Sequence, residues 1–335
     1  MRKIVSIGEV MLRLSPPGRQ RITQAGSFDI LYSGSEANVS AALATWGLQT
    51  AHVTRFPDNP LGHAALSALR ARGIDTGFIR MGGDRLGLYF VENGAMTRPT
   101  RITYDRLPSA FSESTAGMFS WTNILEGASW FHWSGITPAL SQGAADILRE
   151  ALEACAAMQI PVSADINYRS GLWRYGKTPA EVLGPLVAMS QVVVAAETDT
   201  KGIFDILPKP GEEPYMSISS QMKARFPSIT CMITSLREQF SHNHQRLSGM
   251  LWDGGQVWHT PAYELNPIVE RIGSGDAFMA GFIYGKLQGW PNGRVINFAT
   301  AAAAFKHSLE GDVLDASVDE IEALAAGDHG GQIRR

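Results

Sequence analysis

Along the chain, short runs rich in β-branched residues alternate with longer amphipathic segments rich in alanine. KIVSIGEV is followed by SEANVSAALATWG, then TAHVTRF, then LGHAALSALRARG. An extended run followed by a segment long enough to cross back over it predicts βαβ units on a parallel sheet. The rhythm resumes at GASWFHWSG, GAADILREALEACAAM, IPVSADIN and QVVVAAE. It then passes through SITCMITSL to the helical AFMAGFIYGKL and VINFATAAAAFKH. The expected core is α/β: a doubly wound, mostly parallel sheet between two helical layers. Two stretches break the rhythm, LRLSPPGRQRITQAGSFDILYSG and RLGLYFVENGAMTRPTRITYDR. Both are strand-like, polar and punctuated by glycine and proline, and they read as strands of a small lid over roughly residues 12–33 and 85–106. With no repeat or linker in view, residues 1–330 form one expected domain and 331–335 a tail. KPGEEPYM, from Lys209 to Met216, reads as a surface loop.

Composition narrows the function. A chain of 335 residues, 44% hydrophobic, can bury a substantial core. Its formal charge of -3 supplies no basic field for a nucleic acid, so a small solute is the expected partner. No apolar run reaches the roughly 18 residues of a membrane span, and the first ten residues are too short and strand-like for a signal peptide, so a cytoplasmic location is expected. Cys155 and Cys231 lack CxxC spacing and read as buried, reduced thiols. His242 and His244 make an HxH pair with no acidic or cysteine cluster beside it, which reads as a surface hairpin rather than a metal site.

The most informative stretch is ERIGSGDAFMAGF, which begins at Glu270. If GSGD opens a helix, the amides of residues 273 to 276 point outward at the positive end of its dipole, a ready anion site. Glycines at 273 and 275 let the backbone adopt strained angles and let an oxyanion approach. Asp276 beside a bound phosphate would be repelled unless it had a task. Taking the proton of an attacking hydroxyl is such a task, which points to phosphoryl transfer onto an alcohol. On these residues alone, a simple cap by Ser274 or Asp276 with two turn glycines stays open. The Rossmann glycine spacing and the Walker pattern are both absent.

GSGDAFMAGF resembles the C-terminal GxGDxFxxG signature of the ribokinase-like (PfkB) carbohydrate kinases. SIGEVMLRL, SGSEANVSAALATWG, FHWSGITPALS, SADINYRSGLW and AAAAFKHSLEGD follow that family's order across the chain. The resemblance implies a ribokinase-like fold, ATP as phosphoryl donor and Mg²⁺. It makes Asp276 the catalytic base, with Gly273, Ser274 and Gly275 as the anion hole. The details are most similar to 2-keto-3-deoxygluconate kinases, which implies a sugar-acid substrate. Carried over by motif, Gly34, Tyr89, Tyr104, Arg106 and Arg169 surround that substrate, Ser35 touches it, Asn38 supports its loop and Asp312 approaches it. Two arginines near one sugar pocket suit a carboxylate, because the guanidinium fork donates two charge-assisted hydrogen bonds. Pairing of two copies through the lid is a further implication.

Two stretches depart from the family. Its NxxE motif becomes Ala196, Glu197 and Asp199, leaving Glu197 and Asp199 as candidates to hold Mg²⁺ through water. Its glycine-rich turn at the nucleotide phosphates becomes ITSLREQF, where Ser235 and Arg237, with Gly273 and Gly275, are the expected nucleotide contacts. The adenine is expected between Pro267–Arg271 and the alanine-rich Asn297–His307. Two rival readings follow: a fructokinase or other sugar kinase of the family, and a sugar-acid-binding protein of this fold with little catalysis.

Overall fold

The computed structural model describes residues 2–241 and 243–327; the 331–335 tail and His242 lie outside them. The main sheet runs in spatial order Ile74–Asp75, Gln49–Val53, Lys3–Ile7, Ala128–Ser134, Val162–Asp165, Val192–Val194, Cys231–Gln239, Gln245–Trp252 and Val257–His259. Pairing is parallel from Ile74–Asp75 through Cys231–Gln239 and antiparallel beyond, with Tyr263–Leu265 also paired to Gln245–Trp252. Helices cover both faces, giving the ribokinase-like architecture expected.

The strand Lys3–Ile7 shows how the sequence enforces the layers. Val5 and Ile7 join one apolar cluster and Ile4 the other, as the two-residue repeat of a strand requires. Ser6 shares Ile4's face and would be costly there unpaired. Its hydroxyl is 2.7 Å from both Ser40 Oγ on the Ser35–Thr45 helix and His52 Nδ1 on the neighbouring strand. That buried bond seats the helix on the sheet.

A separate four-stranded sheet, ordered Asp29–Ser33, Met11–Ser15, Leu88–Glu92 and Arg101–Asp105, is built from the two segments that break the βαβ rhythm. Both cysteines are buried, and burial pushes each thiol up to about 12. Among the described residues no helix is long and apolar enough to cross a membrane. The 209–216 stretch is only half a loop, because a helix begins at Pro214, with Glu213 capping the amides of Tyr215 and Met216.

The helices Ser274–Leu287 and Asn292–Lys306 cross closely, since a Cβ on Gly281 would lie 2.7 Å from Ala299 Cα. Small alanines in the second helix therefore serve this contact. Gly281→Ala should separate the two helices and destabilise the fold by about 1–3 kcal/mol, the usual cost of overpacking a filled core. Urea unfolding checks it; an unchanged midpoint contradicts it.

Candidate active site

Asp276 lies in the first turn of the Ser274–Leu287 helix, whose cap is Gly273. Gly273 has φ of 83°, and a Cβ there would sit 1.7 Å from the Asp312 carbonyl oxygen, so both angle and space demand glycine. Gly275 differs: a Cβ would meet nothing within 4 Å, so it borders open space. The Ser274 amide turns back to the Arg271 carbonyl at 3.4 Å and Ala277 closes onto Gly273 at 2.9 Å. Among the described residues the amides of Gly273, Gly275 and Asp276 have no backbone acceptor, so of residues 273–276 only Ser274 turns its amide back into the chain.

The Asp276 carboxylate is held on both oxygens. Ser35 Oγ donates to Oδ1 at 2.6 Å and Asn38 Nδ2 to Oδ2 at 2.7 Å. Both donors come from the first turn of the Ser35–Thr45 helix, capped by Gly34, where a Cβ would strike the Glu9 carbonyl oxygen at 2.1 Å. Burial raises the Asp276 carboxyl to about 6 despite these donors; Asp312 adds to the rise and Arg169 opposes it. A carboxyl near neutrality, oriented and still a good acceptor, suits a general base.

Three more carboxyls converge here. Glu36 is buried, and its Oε1 accepts from Ser134 N at 3.2 Å, Ser134 Oγ at 2.8 Å and Thr137 Oγ1 at 2.9 Å. Burial holds it up at about 7, with Asp276 adding repulsion. Asp165, at the end of its strand, is raised to about 8 by burial and then by Asp199 and Asp276. Asp199 is raised by burial, although it accepts from Ala196 N at 2.8 Å and Tyr168 N at 3.4 Å. It thereby ties down the loop carrying Arg169, an exposed side chain whose charge reaches Asp165, Asp199 and Asp276. Glu197 is exposed at the helix start. Among the described residues there is no group of three or more His, Cys, Asp or Glu side chains that could hold a metal ion.

The residues expected around a substrate meet one another beside this cleft. Tyr89 and Tyr104 stack with ring centroids 6.0 Å apart. The Tyr89 hydroxyl donates to Asp312 Oδ2, which also accepts from Ser33 Oγ at 2.6 Å, and Arg13 donates to Asp312 Oδ1. Both oxygens of buried Asp312 thus accept from side chains of the second sheet, which fixes its carboxylate beside the cleft. Arg106 Nε donates to buried Glu9, while its terminal amino groups meet no described protein acceptor.

Where nucleotide contacts are expected, ITSLREQF forms no turn. Cys231–Gln239 continues as a nine-residue strand paired throughout with Gln245–Trp252, because side chains at these positions favour extended backbone over a glycine turn. Ser235 and Arg237 share one face of it. Arg237 Nη2 donates to Ser274 Oγ and Nη1 lies 3.4 Å from His307 Nε2. Burial and then neighbouring Arg271 lower Arg237 to about 10, so two guanidiniums stand beside the anion-binding turn. His244, the described half of the HxH pair, pairs with Glu264.

Arg13, Glu270 and Lys306 were not singled out from the sequence. Arg13 bridges Asp312 and Glu270, the latter at 2.7 Å, and fully buried Lys306 is lowered to about 8 by burial, with Glu270 and Asp312 opposing. The available signal was a single charge inside an apolar run, in MLRLS and AAAAFK, because a charge in such a place requires a partner.

The model of the pfkB family of carbohydrate kinases matches residues 1–207 and 248–317. A 2-dehydro-3-deoxygalactonokinase from Haloferax volcanii is 32% identical over 98% of this chain and 98% of its own. A crystal structure of 2-dehydro-3-deoxygluconokinase from Thermotoga maritima is 40% identical over 98% of this chain and all of its own, with a TM-score of 0.93. A pfkB-family carbohydrate kinase from Listeria grayi is 32% identical over 97% of this chain and 100% of its own, with a TM-score of 0.92.

The carboxyl cluster makes a prediction independent of turnover. Asp276→Asn removes a charge beside Glu36 and should move the Glu36 titration below about 7, whereas Asn38→Ala removes a donor to the ionised Asp276 and should move the Asp276 titration above about 6. Carbon-13 carboxyl shifts of the metal-free protein read both; a shift of the same sign in the two variants contradicts the assignment.

Proposed function

Because the chain belongs to the pfkB family of carbohydrate kinases, we propose that it phosphorylates a primary hydroxyl of 2-keto-3-deoxygluconate or a close sugar acid, with ATP as donor. The observation that carries the reaction is the Asp276 carboxylate, gripped by Ser35 and Asn38 beside amides with no described backbone acceptor. The substrate hydroxyl gives its proton to Asp276 as its oxygen bonds to the γ-phosphorus. The bond to the bridging oxygen breaks, and ADP leaves with that oxygen's electron pair. The amides of Gly275 and Asp276, with Arg237 and Arg271, stabilise the charge on the transferring group.

Mg²⁺ would neutralise the nucleotide phosphates. Asp165 and Asp199, desolvated and repelling one another with Arg169 as their cationic neighbour, fit a cation held through water better than exposed Glu197 does. Small residues of the Asn292–Lys306 helix and the Pro267–Arg271 segment border the proposed adenine position, and Val269 donates its amide to the His307 carbonyl there at 2.8 Å.

Two features favour a sugar acid. Arg106 offers terminal donors with no described protein acceptor, and the charge of Arg169 reaches Asp276. The Haloferax and Thermotoga relatives are named for 2-dehydro-3-deoxy acids, which share a carboxylate beside the keto group. Gly34 and the stacked Tyr89 and Tyr104 would shape the sugar's surroundings. The four-stranded sheet serves as the lid that excludes water, and its exposed Ile30, Ile102 and Tyr104 suit pairing with a second copy.

Asp276→Asn should lower kcat about 10³-fold, within the range of a lost general base, while leaving sugar-acid binding nearly intact. Phosphorus-31 spectra and calorimetry measure the two; near-normal turnover sinks the mechanism. Arg169→Met should lower kcat/KM for the acid about 10- to 100-fold, the worth of a hydrogen bond to a charged group, with little effect on a neutral sugar. Equal losses on both substrates would argue for another sugar.

A further inference from the structure

Glu9, in the SIGEVMLRL stretch just after the first strand of the main sheet, is buried at 4% exposure. Its two oxygens have different partners. Oε2 accepts from Arg106 Nε, and Oε1 accepts from Ser109 Oγ, which lies three residues after that arginine. The slot is narrow: a Cβ on Gly87 would come within 3.1 Å of Glu9 Oε1 and 3.3 Å of the Arg106 carbonyl. On the other side the Glu9 carbonyl oxygen packs against Gly34, the cap of the helix whose Ser35 and Asn38 grip Asp276. One residue thus touches both the arginine that offers its free donors to a ligand and the helix that fixes the base.

We infer that Glu9 is a positioning residue for acid recognition: it holds the Arg106 guanidinium by its inner nitrogen so that the terminal amino groups meet the substrate carboxylate at a fixed distance from Asp276. The inference rests on the sugar-acid reading above. A guanidinium on a flexible stem loses rotamer freedom when it binds, and a carboxylate that holds Nε in advance removes part of that loss. Glu9 does so without competing for the outward fork, because it uses the nitrogen that faces away from it. Ser109 keeps the second oxygen from swinging onto those outer donors.

The test compares kcat/KM for 2-keto-3-deoxygluconate and for its uncharged primary amide in the full-length enzyme, with the KM for ATP as an internal control. Glu9→Gln should reduce the acid-over-amide ratio about tenfold, the scale of one misaligned charge-assisted bond. The loss should fall mainly on the KM for the acid, with the KM for ATP changed less than about twofold and kcat little changed. Ser109→Ala, which keeps the Glu9–Arg106 pair, should reduce the ratio in the same direction by less; it also serves if the glutamine variant fails to fold. An unchanged ratio, or equal losses for acid and amide, overturns the inference and leaves Glu9 a packing residue. Arg106→Met separates this from the substrate reading: if it collapses the ratio while Glu9→Gln does not, only the positioning role fails. If it leaves the ratio intact, the sugar-acid reading fails and takes the inference with it.

Discussion

A guanidinium buried between two carboxylates holds this molecule's working parts in register. Arg13, on the central strand pair of the second sheet, reaches Asp312 and Glu270, both of which belong to the main domain around the anion-binding turn. Asp312 then does two things with different atoms. Its carboxylate gathers Arg13, Ser33 and Tyr89 from three strands of the second sheet, and its carbonyl presses on Gly273, where no larger residue fits. Burial gives the arrangement its consequence. Replacing the pair by apolar groups can be neutral, but removing one partner strands a buried charge at a cost of about 3–5 kcal/mol. The geometry of the turn therefore depends on the seating of the second sheet.

The base is organised by the same logic on the other side. Asp276 sits at the start of one helix and takes both donors from the start of another, so the two must be packed before the carboxylate is oriented. The contact of Gly281 with Ala299 anchors the first helix to Asn292–Lys306, and the bond between Ser6 and Ser40 seats the second on the sheet. Around it, Glu36, Asp165 and Asp199 share a desolvated space, which raises each carboxyl above its ordinary range and prepares the cleft for cationic company. Arg237 and Arg271 stand beside the turn that carries Asp276.

Much of this was legible in the sequence where local chemistry is specific. The βαβ alternation foretold the sheet, the irregular segments after residues 12 and 85 supply the second sheet, and GSGD opens a helix as its glycine and dipole chemistry requires. Local rules failed where long-range pairing decides. LREQ is a strand because Gln245–Trp252 pairs along its whole length, and no short window carries that fact. The partners of Asp312 could not be read locally either: they come from strands 223 to 299 residues away in sequence. Glu9, Arg13 and Lys306 each carried only the faint signal of a charge in an apolar stretch, which announces a partner without naming it.

The central claim is that this cleft transfers phosphate from ATP to a sugar acid, and ADP release in the presence of Mg²⁺ tests it most directly. The same enzyme would be offered 2-keto-3-deoxygluconate, gluconate, fructose, ribose and no sugar in parallel. A strong preference for the keto-deoxy acid, with negligible release in its absence, is the predicted result. Preference for fructose or ribose, or release that ignores the sugar, would contradict it.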